Sequence, residues 1–152
     1  KMATITDAVV KTDAIFNFAT QWYYKNPTVS GIPTISDTDY AAFKAFLKQE
    51  KITLDTETNK ALKNVLETAK KEKMDAQIAA EYKQLELAIE KNQELELDKN
   101  KNQIKKLIQE ELITRYQYRE GLYQFYTKEN LEIEKAIALL NNQTQYKSIL
   151  KK

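Results

Sequence analysis

Cysteine and histidine are both missing from this chain of 152 residues. Their absence removes disulfides, thiol nucleophiles, zinc sites of the usual Cys/His kind and any Ser-His-Asp relay. The compartment stays open, because a periplasmic protein need not carry a disulfide. Glycine and proline are scarce, with only Gly31, Gly121, Pro27 and Pro33. Sheets and turn-rich folds use many more such residues to reverse direction, so the scarcity points to helices. Charge of one sign is missing too: 24 basic and 22 acidic residues leave a net +2 and are interspersed, whereas a nucleic-acid binder presents a one-sided basic field. No apolar run reaches the ~18 residues of a membrane span, and no signal peptide is visible. Lys1 precedes Met2, which is not how a native chain begins. The start therefore reads as a scar or excision point, and the chain as a fragment of a longer protein: one domain over residues 1–152, with 1–7 partly linker.

What is present is a foldable, soluble composition, 42% hydrophobic and 30% charged. The pattern predicts an all-α bundle of about six helices, with a long antiparallel pair near 74–126. Thr6 or Asp7 starts a first helix that runs to Tyr24, with Val10, Ala14, Ile15, Phe18, Ala19 and Trp22 on one face. Asn26-Pro27 stops it, and 28–35 is a loop around Gly31 and Pro33. Ser36-Asp37-Thr38-Asp39 signals the next helix: Ser36 caps the N3 amide, and Ile35 and Tyr40 hold the positions of a hydrophobic staple. A third helix starting near Leu54-Asp55-Thr56 turns Leu62, Val65, Leu66 and Ala69 inward, and a fourth does the same with Ile78, Tyr82, Leu85 and Ile89. Between Glu90 and Gln103 only Leu95 and Leu97 are apolar, which reads as a hairpin tip with Asp98 as a cap, the alternative being a continuous exposed helix. From there a long helix runs to Tyr126. A further helix holds Leu131, Ile133, Ile137 and Leu140, and a last turn holds Tyr146, Ile149 and Leu150.

The segment RYQYREGLYQFY (115–126) concentrates four of the nine tyrosines and both arginines. On a wheel of 100° per residue, Arg115 and Arg119 fall inside the apolar arc that holds Tyr116, Tyr118, Tyr123 and Tyr126. An arginine there must be paired or must snorkel. Two readings stay open. The cluster is either an interaction site where guanidinium groups grip a carboxylate or phosphate, or an internal ion pair, with Glu111 as the local partner of Arg115. Nucleic-acid binding uses the same residue types, but it needs exposed rings, and these are expected on a buried stripe. Trp22 at the end of its helix is expected in the core rather than as a partner anchor.

Catalysis finds no footing. Serine occurs only at 30, 36 and 148, none with a lysine or acid spaced to activate it, and pairs such as Glu110-Glu111 are common on lysine-rich helices. No catalytic, cofactor-binding or metal residue is assigned, and no cofactor is expected.

Several segments together are similar to a known family. DAIFNFATQWYYKNP (13–27), ISDTDYAAFKAFL (35–47) and ITRYQYREGLYQFY (113–126), closing with Ile137–Leu140 and Tyr146–Leu150, resemble the C-terminal helical tail of bacterial carboxyl-terminal processing proteases, the S41 serine peptidases. The resemblance spans about residues 8–150. It implies a parent enzyme with a PDZ module and a serine–lysine pair, cleaving proteins near their C-termini in the periplasm or cell envelope. None of the catalytic motifs is matched in this chain. The segment would then be a non-catalytic accessory domain whose partners are the protease core of the same chain, a further copy in a homo-oligomer, or a protein substrate. Its role would be to support assembly or to control substrate access. The alternative is a stand-alone helical scaffold or adaptor that binds a partner helix. Nucleic acid is not an expected partner, and no transmembrane segment is expected.

Overall fold

The computed structural model describes residues 2–150, apart from the side chains of Glu129, Gln143 and Gln145. Lys1, Lys151 and Lys152, the ends of the expected domain, lie outside the described residues. Among the described residues the chain is all-helical, with eight helices where about six were expected: α1 (Thr4–Val10), α2 (Ala14–Lys25), α3 (Asp37–Gln49), α4 (Glu57–Lys71), α5 (Ala79–Lys99), α6 (Lys101–Glu129), α7 (Leu131–Asn141) and α8 (Gln143–Leu150).

Part of the difference in number arises at the start of the chain. The expected first helix is broken at residues 11–13, where the Thr12 hydroxyl donates to the Val9 carbonyl (2.7 Å) and accepts from the Ala14 amide (3.2 Å). A threonine side chain bonding its own backbone offers an alternative to continued helix. The break rotates Val10 outward, so it is exposed instead of sharing the inward face. Thr6 and Asp7 are not caps but lie inside α1, whose N-cap is Ala3. Ile5 and Thr6 are buried, so the linker expected over 1–7 does not extend to them.

The second helix start follows its sequence signal. The Ser36 hydroxyl accepts from the Asp39 amide at 3.1 Å while the Asp39 carboxylate accepts from the Ser36 amide at 2.9 Å, a complete capping box. Ile35 and Tyr40 are both buried in the main core.

That core lies where α2, α3 and the first half of α6 meet. Ile104, Ile108 and Leu112, spaced four apart on one face of α6, are fully buried, each stabilising by roughly 1.5–3 kcal/mol. Ala14 and Ala19 let α2 approach this face closely, and Phe18 of α2 meets Phe43 of α3 edge-on, with ring centroids 5.3 Å apart. The Tyr40 hydroxyl donates to the Leu97 carbonyl (2.7 Å) in the last turn of α5, where carbonyls run out of intrahelical partners. Burial and the nearby Asp98 carboxylate push this phenol well above its ordinary pKa.

Helix α5 runs to Lys99, so Asp98 lies in its last turn instead of capping the next helix, whose N-cap is Asn100, and the expected hairpin tip over 90–103 is mostly helix. The main packing of α6 is on α2, while α5 packs on α4 and α1. The long antiparallel pair expected over 74–126 therefore does not organise the bundle. The α4–α5 layer is thin: Val65 and Leu85, expected inward, are half exposed.

The largest departure lies inside α6. Its helix breaks at Tyr118, where φ is 55° and ψ −154°. Lys106 Nζ sits 5.4 Å from the centre of the Phe125 ring, although 19 residues of straight helix would separate them by about 28 Å. The chain therefore folds back at Tyr118. Gly121 is needed at the bend, because a Cβ there would lie 2.8 Å from Ile113 Cγ2 and 2.4 Å from Gln117 Cβ.

Candidate interaction site

Arg115 is on the α6 face that meets α2, one helical turn before the bend. Its Nη2 donates to the Phe16 carbonyl and to the Thr20 hydroxyl, both at 2.9 Å, and lies 3.1 Å from the Glu111 carboxylate. The guanidinium carbon is 4.5 Å from the centre of the Phe16 ring, a cation–π contact. Arg115 Nε is buried without a hydrogen-bond partner. Beside this node, Tyr116 tilts against Tyr23 (centroids 4.8 Å) and meets Trp22 edge-on (6.3 Å). Its hydroxyl donates to the Asn26 carbonyl, and burial raises its pKa.

Trp22 is partly buried against the core and donates from Nε1 to Asp39 Oδ1 (3.0 Å). Burial alone would raise the Asp39 carboxyl, but hydrogen bonds from Ser36 and Trp22 outweigh it and hold the group below the usual carboxylate range. One chain of contacts thus runs from the capping box of α3 through Trp22 and Tyr116 to α6. Gln109 and Gln117 add donors to the Pro33 and Gly31 carbonyls, both at 2.8 Å. The loop over 26–35 is held against α6 along its length.

The structure brings together Arg115, Glu111 and Tyr116 from the expected cluster and separates the others. Arg119, Tyr118, Tyr123 and Tyr126 are exposed. The wheel placed them inward by assuming an unbroken helix, and the reversal at Tyr118 destroys that phase. Phe16 and Thr20 were missed as partners of Arg115, since 95 or more residues separate them in sequence. Thr20 and Phe16 lie off the apolar stripe of α2 that holds Phe18, Ala19 and Trp22, so the helical pattern carried no signal for them. The buried-ring argument against nucleic-acid binding fails for the three displaced tyrosines, whereas the interspersed charge stands against it still.

Two other features were candidates. A cleft of about 920 Å³ lies between α3, α4 and α5 over Leu47, Leu54 and Leu62. Several of its polar groups are engaged: Lys44 pairs with Asp98, Lys48 with Glu94, and Gln93 donates to the Leu54 carbonyl and to Asn59. The arrangement is a packing gap spanned by ion pairs rather than a set of convergent free groups. The second feature is the C-terminal hairpin. Helix α7, capped by Asn130 through the Glu132 and Ile133 amides, buries none of its residues, and Leu131, Ile137, Leu140, Ile149 and Leu150 all stand more than half exposed.

These observations define an all-α helical domain built around an α2–α6 clamp, with an apolar C-terminal face left uncovered. Among the described residues no cluster of metal-binding side chains occurs and no helix is long and apolar enough to cross a membrane. The family model described as the C-terminal helical domain of a probable PDZ-protease matches residues 5–140. The chain belongs to that family, as a C-terminal, accessory part of a protease. No curated protein and no solved structure matches it.

Proposed function

We propose that this chain is the non-catalytic accessory domain of a carboxyl-terminal processing protease of the S41 serine peptidase class, working in the periplasm or cell envelope. The observation that carries the reading is the family match over 5–140 to the C-terminal helical domain of a probable PDZ-protease; in this reading the protease core belongs to the same parent polypeptide. The reading is supported by the residues: with no histidine or cysteine and with Ser36 committed to its cap, the chain offers no activated nucleophile. The domain spans the whole chain, and its task is to assemble the enzyme or control the path of a protein substrate to the core.

The face that meets the core is the one formed by α7 and α8. Ile137 and Leu140 share one face of α7, and with the exposed Ile149 and Leu150 of α8 they make an apolar surface of a kind unusual on a free surface; the protease core is the partner this reading assigns to it. The test is to compare the parent protease with a form lacking residues 5–150. Loss of assembly or of protein cleavage, with a short peptide still hydrolysed, supports the proposal. Hydrolysis of unfolded protein by the isolated 152-residue chain refutes it.

A further inference from the structure

Tyr118 holds a backbone conformation, φ 55° and ψ −154°, that is costly for any residue with a Cβ and close to a region populated almost only by glycine. Its ring is 74% exposed, so side-chain packing does not hold it there. The flanking sequence contains no proline, and helix is formed on both sides of Tyr118. A straight α6 would relieve the strain at Tyr118. It would also strip Phe125 of its cover and part Gly121 from Ile113, contacts the bent form has. One surface reproduces those contacts in full: the same stretch of α6 in a second copy.

We propose that residues 119–150 form an exchangeable arm. Helix α6 straightens at Tyr118, and its second half docks on the first half of α6 in another copy, which returns its own arm. Phe125 then lies against Lys106 of the partner copy, and Gly121 against Ile113 of the partner copy. The exchange is reciprocal, so it closes as a two-fold dimer, and short strained hinges favour this kind of exchange. It goes beyond the accessory role and does not depend on the protease reading.

The strain gives the test its sign. In Tyr118→Gly the bent form is relaxed and the straight helix is disfavoured, while in Tyr118→Ala the bend stays strained and the straight helix is favoured. Sedimentation over a concentration series should show dimers dissociating at least about tenfold more readily for Y118G than for Y118A, with the parent between them. Because the chain has no cysteine, Asn102→Cys and Gln124→Cys can each carry a spin label. A mixture of singly labelled Y118A copies should give the short distance that doubly labelled monomeric Y118G gives, well under the ~33 Å of a straight helix within one copy. Equal self-association of Y118A and Y118G overturns the proposal. So does a dimer that lacks this short distance, or a copy that straightens without pairing. Y118G keeps the test readable if Y118A misfolds, since a Y118G chain that dimerises as strongly as the parent also overturns it.

Discussion

Replacing Arg115 by alanine removes the node that holds α6 to α2. Two charge-assisted hydrogen bonds leave the same Nη2, so they share one donor group and together contribute about 1.5–2 kcal/mol. The stacking on Phe16 adds about 0.5–1 kcal/mol. The Glu111 pair is partly exposed, with side chains 18% and 32% accessible, and adds at most about 0.5 kcal/mol. Against these stands the buried, unpartnered Nε, worth about −1 kcal/mol. Its removal, together with the Thr20 hydroxyl that still donates to the Phe16 carbonyl (2.8 Å), softens the loss. The net expectation is about 2 kcal/mol, which lowers the melting temperature by roughly 4–8 °C for a chain of this size. Arg115→Lys keeps the charge, sheds the unpaired Nε and should cost about half as much. Urea unfolding of Arg115→Ala, Thr20→Val and the double variant closes a cycle, with an expected coupling near 1 kcal/mol. An Arg115→Ala protein within about 0.5 kcal/mol of the parent refutes the clamp. Loss of anion or partner binding in that variant would return the cluster to the reading of an interaction site.

Three other predictions follow from the same geometry. Ser36→Ala breaks the capping box and should cost about 1 kcal/mol, read as a lower urea midpoint at unchanged slope. Tyr40→Phe loses the bond to the Leu97 carbonyl, about 1 kcal/mol. Because the phenol is raised in the fold by burial and by Asp98, its stabilisation is complete below its unfolded pKa of about 10 and fades as pH rises beyond it. The variant should therefore lose part of the parent's alkaline destabilisation. The carboxyl of Asp37 is held below 3.8 by hydrogen bonds from Lys105 and Lys101, and that of Asp39 by Ser36 and Trp22 against the cost of burial. Their contribution is complete above about pH 4 and is lost as pH falls through the lowered values. Asp39→Asn should flatten the acid limb of the stability curve, and salt should flatten the part due to the exposed Asp37.

The helical class was legible because two glycines and two prolines leave little means of reversal. The α3 start was legible because a capping box is a local device, complete within residues 36–39. Leu62 and Ala69 were placed correctly for the same reason: their spacing alone selects a face. Errors arose where a local signal met a tertiary one. Val10 kept helical phase on paper, but α1 ends at it, next to the turn held by the Thr12 hydroxyl, and Val10 stands exposed. Val65 and Leu85 fit the stripe, but α4 and α5 have only a thin layer beneath them. Arg115 was matched to Glu111 four residues away, while Phe16 and Thr20, reachable only through the α2–α6 packing, were invisible. Tyr118 is the sharpest case. Nothing in RYQYREGLYQFY forbids a straight helix, and the bend that moves Arg119 and three tyrosines to the surface rests on the fit of Gly121 against Ile113.

In the proposed function the uncovered apolar face of α7 and α8 serves the protease core, and this chain supplies no catalytic group. The direct measurement is cleavage by the parent protease carrying Ile137→Asp and Leu140→Asp, both more than half exposed. The melting temperature of the isolated domain should stay within the shift expected of surface substitutions, about 0.5 kcal/mol. Cleavage of a folded protein substrate, or the assembled mass of the enzyme, should fall at least about tenfold, while a short peptide is still hydrolysed. Parent-like assembly and parent-like cleavage of both substrates would contradict the claim.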